Sequence, residues 1–318
     1  LIYQYFTRGY EHLNKLSSKY GVYYASTVLA LLLWSTSFIA TKIAYATFPP
    51  ITLGACRFIV ATVVLGTLII VKRQFIVPQK KHLPWILLSG ALGITLYFTM
   101  ENIGVSMTTA SNAALIVASY PAVTALLELF IYRTPFTLKK AVGIGIAILG
   151  VGILSGLQEV GGSNPLLGNL ILIATGVVWA FYNFVTRKVV EEYPGTVFAF
   201  YQTVAGMLLF LPLTLLERKS WQLPTTYTFG VLIYLGVFCS VAAFMLYNFG
   251  LKKLSAGTSV SLMNLVPIFG VFFSIIFLGE TVSYQQIGGG IIVIGGVVLS
   301  VSHGREKQIV IHAKETIL

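Results

Sequence analysis

Ten long apolar runs separated by short gaps constrain this chain more than any other feature. They cover 23–46, 50–71, 84–104, 109–132, 138–156, 166–187, 194–216, 226–251, 256–279 and 283–302. A helix needs about 20 predominantly apolar residues to cross the hydrocarbon core of a bilayer. The runs therefore predict an all-α membrane protein with ten transmembrane helices. Composition agrees: 10% of the residues are charged, against ~25% in soluble domains, too few to solvate a water-soluble fold of this length.

The gaps supply the orientation, because lysine and arginine collect in cytoplasmic loops near helix ends. With the N-terminus cytoplasmic, alternate gaps and the two tails hold seventeen Lys and Arg, among them Lys72, Arg73, Lys80, Lys81, Lys252 and Lys253. The opposite gaps hold only Arg218 and Lys219, and Lys42 and Arg57 fall inside runs. One missed helix would scramble this alternation, so the split supports both the span count and cytoplasmic termini in a plasma membrane. The net charge of +11 then reads as anchoring, and nucleic acid is not an expected partner. Residues 1–22, with Arg8, Lys15 and Lys19 and no cleavage signal, read as an amphipathic cytoplasmic lead-in, and 303–318 as a cytoplasmic tail.

Shifting the sequence by 146 positions lays the third to fifth runs on the eighth to tenth. Phe98 meets Phe244, Asn102 meets Asn248, Gly104 meets Gly250, Pro121 meets Pro267, Gly143 meets Gly289 and Gly150 meets Gly296; at a shift of 145, Trp34 meets Trp179. Two repeats, 23–156 and 157–302, result. Each has five spans, an odd number, so the halves cross the membrane in opposite senses. That is the inverted-repeat architecture of alternating-access carriers.

These residues resemble the drug/metabolite transporter superfamily, specifically its EamA-type carriers with two such domains. The resemblance rests on Trp34-Ser35, Arg57-Phe58, the run Thr109-Ala110-Ser111-Asn112-Ala113-Ala114, mid-span Pro121 and Pro267, the Leu278-Gly279-Glu280 turn and the glycine-rich fifth and tenth spans. It implies a helical bundle, a central cavity lined by spans 1, 3, 4, 6, 8 and 9, and secondary transport without ATP. Two departures stand out. The Gly-Glu turn occurs only in the second half, where Arg133-Thr134 stands opposite it in the first, and Gln202 occupies the position equivalent to Arg57.

Charged residues inside apolar runs are costly and should face protein or water. Lys42, Arg57, Glu101 and Glu128 are the cases here. Counted down from the span ends, Arg57, Glu101 and Asn112 share an outer layer. Either Glu101 binds a cationic group or a coupling proton, with Arg57 as gate or modulator, or the two form a fixed ion pair. Lys42 is read as snorkelling to the interface, Glu128 as pairing with Lys139 or Arg133, and Glu280 as capping the tenth span.

Trp34 and Trp179 lie mid-span, away from the interfacial belts where tryptophan collects. Trp34 and Phe38 share a helical stripe, as do Trp179, Tyr182 and Asn183, and as do Gly90, Gly93, Tyr97 and Glu101. Facing one another, the stripes make an aromatic cavity suited to ring-bearing or quaternary ammonium compounds, or they merely pack. Tyr120 and Ser119 beside Pro121, with Asn264 and Ser261 near Pro267, add polar groups at mid-depth. The glycines of spans 5 and 10 read as close-packing surfaces.

Aspartate is absent, the four histidines lie outside the runs, Cys56 and Cys239 lie within them, and neither a His-Glu-x-x-His nor a Walker motif occurs. No catalytic residue, cofactor or metal is expected. The reading is a secondary transporter of a small organic metabolite, an amino acid or related amphipathic compound moved outward. The alternatives are uptake of a cationic nutrient such as choline, and, from another class, a non-transporting receptor or enzyme. The expected partners are the substrate, the lipid bilayer and, left open, a coupling proton; monomer and homodimer are both left open.

Overall fold

The computed structural model describes residues 2–132, 137–156, 162–254 and 256–315. Among them the chain is a succession of helices with no strand. α1 (Ile2–Ala44) and α2 (Pro50–Val71) are followed by α3 (Leu83–Gly90), which runs through a π-helical segment, Ala91–Leu96, into α4 (Tyr97–Met107). α5 (Ala110–Val117), α6 (Tyr120–Tyr132) and α7 (Leu138–Gly156) complete the first half. The second half has α8 (Pro165–Arg187), α9 (Gly195–Phe210) with a 3₁₀ extension Leu211–Ser220, and α10 (Thr226–Tyr234), joined by a second π segment, Leu235–Ala242, to α11 (Ala243–Leu251). α12 (Ala256–Ser261), a 3₁₀ turn Leu262–Asn264, α13 (Leu265–Leu278) and α14 (Tyr284–Glu315) follow.

Local chemistry sets several boundaries. Proline opens α2, α3 and α8, where its missing N–H costs nothing. Thr109 and Thr225 cap α5 and α10 by accepting from the amides of Asn112 and Thr228. α13 stops at Gly279, whose φ of 64° is left-handed and suits a residue without Cβ.

Among the described residues, eight helical segments are long and apolar enough to cross a membrane: Tyr20–Ala44, Pro50–Val71, Leu83–Met107, Ala110–Leu127, Pro165–Arg187, Gly195–Ser220, Thr226–Leu251 and Thr258–Leu278. Helices α7 and α14 stand where the fifth and tenth spans are expected, but their apolar stretches among the described residues, Ala141–Gly150 and Tyr284–Leu299, are shorter than those eight. α7 and α14 pack along each other through small residues. A Cβ on Gly150 would stand 2.9 Å from the Gly289 carbonyl, and one on Gly296 would stand 2.6 Å from the Gly143 carbonyl. Side chains longer than hydrogen do not fit there, as expected of glycine-mediated packing.

The internal symmetry extends to defects the sequence did not announce. The two π segments occupy repeat-related positions, just before Phe98 and Phe244. A π turn carries an extra residue and rotates the helix that follows.

The charge-poor end of the bundle is closed by two carboxylates. Glu280, expected to cap the tenth span, instead reaches across to α5, accepting from the amides of Ala110 and Ser111 at 2.8 and 2.9 Å and from Ser111 Oγ at 2.6 Å. Glu217 does the same to α2, accepting from the Ile51 and Thr52 amides at 3.0 and 2.7 Å and from Thr52 Oγ1 at 2.8 Å. A helix start presents free N–H groups and a partial positive charge that favour a carboxylate, and the start of α14 is capped by Ser283 instead, whose Oγ accepts from the Gln286 amide at 3.2 Å. Both staples tie a helix of the second half to one of the first.

Candidate functional site

Four of the residues singled out in the sequence converge at the centre of the bundle with Glu101 on one side. Trp34 and Phe38 from α1, Tyr97 and Glu101 from α4, and Trp179 from α8 line one cavity, together with Ser37, Phe98, Val117, Met263 and Val266. Trp34 meets Trp179 and Phe244 edge to face, and Tyr97 is tilted against Trp179. Trp34 lies 5.4 Å from Trp179 at 85° and 5.2 Å from Phe244, and Tyr97 lies 5.0 Å from Trp179. Trp34 is fixed by its indole N–H, which donates to the Cys239 carbonyl at 2.9 Å. Buried tryptophan N–H groups ordinarily find such a partner.

Glu101 is the one carboxylate in this lining. Tyr97 OH donates to its Oε1 at 3.1 Å. The alternative of a fixed ion pair with Arg57 finds no direct contact: among the described residues the only carboxylate within 4.0 Å of a basic nitrogen is Glu191, at 3.2 Å from Lys253 on the surface. Arg57 is 1% exposed, donates from Nε to Ser240 Oγ at 2.9 Å, and has its guanidinium carbon 4.5 Å from the centre of the Phe98 ring. Phe98 both meets the guanidinium and lines the cavity.

The remaining candidates lie elsewhere. Asn112 is not beside Glu101: its amide nitrogen donates to Thr108 Oγ1 at 3.1 Å and its oxygen accepts from Gln286 Nε2 at 2.5 Å, which ties α5 to α14. Tyr120 is fully buried, bonded to Thr175 Oγ1 and donating to the Leu172 carbonyl at 3.2 Å. Tyr182 donates to Asn248 Oδ1 at 2.8 Å. Asn183 donates to the Trp179 carbonyl at 2.7 Å and accepts from Tyr247 OH at 2.8 Å. Asn264 is half-buried with its oxygen unpartnered, next to the lining residue Met263. Lys42 is half-buried at the end of α1. The side chains of Glu128, Arg133 and Ser261 lie outside the described residues.

The π segment explains part of this rearrangement. An α-periodic reading puts Gly90, Gly93, Tyr97 and Glu101 on one face, but the extra residue between them splits the stripe. Gly93 packs against the Tyr182 ring and Gly90 against the Gln202 carbonyl, whereas Tyr97 and Glu101 turn to the cavity. Ser37, Phe98, Val117, Met263 and Val266 were not singled out as site residues; only Phe98 had a signal, its match to Phe244.

The cavity is small, about 20 Å³, and a single water needs about 10–15 Å³ measured this way. A metabolite enters only if the helices part. No cluster of three His, Cys, Asp or Glu side chains lies close enough to hold a metal ion among the described residues.

The EamA-like transporter family model matches residues 20–156 and 166–302, twice within the chain and over most of its length. The chain belongs to the EamA-like transporter family. It is a multi-pass membrane transporter, and its relatives carry the same description. An uncharacterized transporter from Archaeoglobus fulgidus is 27% identical over 279 residues, 86% of this chain and 94% of its own. The uncharacterized transporter YetK of Bacillus subtilis is 26% identical, covering 93% and 91%. A protein of Streptantibioticus cattleyicolor named a probable terminal-alkyne amino-acid exporter is also 26% identical, covering 86% and 91%. A solved crystal structure, 19% identical, superposes with a TM-score of 0.63 over 89% of this chain and 97% of that one, and so shares the fold.

Proposed function

We propose that this transporter is a secondary carrier for a small organic metabolite bearing a positively charged nitrogen, most directly an amino acid moved outward across the plasma membrane. Alternating access is carried by two inverted five-helix repeats, 23–156 and 157–302, with ten spans and cytoplasmic termini. The observation behind the reading is the Glu101 carboxylate, which lines an aromatic cavity, holds only a phenol donor and has no cationic side chain within 4.0 Å among the described residues. A carboxylate taken out of water needs a counter-charge, and the surrounding ring faces attract the same cation. In this reading Trp34, Phe38, Tyr97 and Trp179 enclose the ammonium group and Glu101 neutralises it. Glu101 is also the group placed to exchange a coupling proton for the substrate. The name of the Streptantibioticus relative lends support to amino-acid export.

The same observation favours a second reading, uptake of a quaternary ammonium compound such as choline, because such a cation needs aromatic faces and a carboxylate but no hydrogen-bond acceptors. A thermal-shift screen of purified protein against amino acids, primary amines, choline and nucleosides separates the two. A ligand that binds only the folded state raises its stability by mass action. Amino acids and amines should stabilise the wild type and leave Glu101→Gln unchanged. Choline alone would select the second reading, and stabilisation by nucleosides alone would overturn both.

A further inference from the structure

Arg57 and Asn102 are each 1% exposed, and each has a side-chain donor with no protein acceptor, Arg57 Nη2 and Asn102 Nδ2. The two are neighbours. The Asn102 amide nitrogen lies over Gly54, where an added Cβ would stand 2.8 Å from it, and Gly54 is one helical turn from Arg57 on α2.

The rest of each side chain is held in place. Arg57 Nε donates to Ser240 Oγ at 2.9 Å, and that hydroxyl donates to the Leu235 carbonyl at 3.0 Å. Tyr45 OH donates to the Asn102 carbonyl at 2.7 Å and to its Oδ1 at 3.4 Å. Free donors on side chains fixed by their other atoms are the arrangement of a preorganised site. A buried guanidinium with no carboxylate in contact is costly; none lies within 4.0 Å of Arg57 among the described residues, and its planar fork matches a carboxylate. Phe98 joins the two regions: its ring lies 4.5 Å from the guanidinium carbon, and it lines the cavity together with Glu101. Phe98 follows the π segment Ala91–Leu96 by two residues, at a point where helix register is readily altered.

We propose that Arg57 Nη2 and Asn102 Nδ2 form an anion subsite that receives the substrate's carboxylate when Phe98 turns aside, while Glu101 holds its ammonium group. The proposal rests on the role given to Glu101 above and adds that the substrate is a zwitterion. The subsite occurs once, because the repeat-related residue of the second half is the uncharged Gln202.

The test measures binding to the purified full chain with two matched sets of probes. One is L-phenylalanine, phenethylamine and 3-phenylpropionate; the other is L-leucine, isopentylamine and 4-methylpentanoate. Wild type should bind each amino acid about tenfold or more tighter than its amine, as a charge-assisted bidentate contact warrants. In Arg57→Lys and in Asn102→Ala that ratio should fall towards one while amine affinity stays within about twofold. The ratio is taken within each variant, so a reduced folded fraction cancels; if Arg57→Lys does not fold, Asn102→Ala carries the test alone. A wild-type ratio near one, or a ratio unchanged in both variants, overturns the subsite and leaves the role of Glu101 intact. No binding of amino acid or amine overturns that role and the zwitterion together. Binding of the acids alone, lost in Arg57→Lys and kept in Glu101→Gln, overturns the role of Glu101 and retains the anion subsite.

Discussion

Two repeat-related polar clusters, one in each half of the bundle, end differently. In the second half, Gln202 Nε2 donates to Ser89 Oγ at 3.2 Å, Gln202 Oε1 accepts from Asn248 Nδ2 at 3.4 Å, and Asn248 Oδ1 accepts from Tyr182 OH at 2.8 Å. The chain of bonds is closed. In the first half, Arg57 stands where Gln202 does and Asn102 where Asn248 does; Arg57 also reaches a serine on the opposite half, Ser240 at 2.9 Å, but Arg57 Nη2 and Asn102 Nδ2 have no protein acceptor. Burying an unmet donor costs more than a met one returns, so a closed cluster is what stability alone would produce in both halves. The Gln202 cluster satisfies itself within the protein, whereas under the proposal above a ligand satisfies the Arg57 cluster.

The comparison breaks most visibly if charge is moved from one cluster to the other. Gln202→Arg would place a guanidinium in a cluster with no carboxylate, at about 2.5–3.5 kcal/mol on insertion scales. Its folded yield and melting temperature in detergent should drop sharply, and a variant as stable as wild type would show the clusters to be interchangeable. Next in size is Arg57→Gln, which removes a buried charge with no carboxylate within 4.0 Å among the described residues. Melting should be unchanged or raised, by up to about 1 kcal/mol, while the preference for amino acid over amine disappears; a clear loss of stability would make Arg57 structural. The smallest effects come from the paired serines. Ser89→Ala removes one interhelical hydrogen bond, worth about 0.6 and at most about 1.7 kcal/mol, and should lower melting without changing ligand preference. Ser240→Ala should change that preference, because it frees the guanidinium. Equal behaviour of the two variants would erase the distinction between scaffold and site.

Much of this architecture was legible in the sequence. Apolar length and the alternation of Lys and Arg depend on the bilayer alone, and the repeat on matched residues such as Trp34 with Trp179 and Asn102 with Asn248, so the bundle and the meeting of those tryptophans could be read directly. Phase was not legible beyond the π segments. α-periodicity carried through 91–96 keeps Gly93 and Glu101 on one face, whereas one extra residue sends Gly93 to Tyr182 and Glu101 to the cavity. Partner choice was equally hidden. Asn112 bonds Gln286 from α14, and Glu280 caps α5 across the bundle, contacts set by tertiary packing and without a local signature. The choice between a fixed Arg57–Glu101 ion pair and separate roles was illegible for a third reason: depth along two spans gives a common layer, while the position around each helix decides contact, and the guanidinium lies against the Phe98 ring rather than within 4.0 Å of a carboxylate.

The central claim is that Glu101 neutralises the substrate's ammonium group, and flux through proteoliposomes tests it most directly. Wild type and Glu101→Gln would be reconstituted in parallel and assayed across pH with whichever ammonium compound of the screen stabilises wild type most. The substitution keeps the shape and the Tyr97 hydroxyl partner and removes the charge. Flux should fall about tenfold or more, as loss of a charge-assisted contact implies, and its pH dependence should disappear while the melting temperature of the variant stays close to that of wild type. Wild-type flux with an unchanged pH profile, in a variant that unfolds several degrees earlier, would show the carboxylate to be structural and contradict the account.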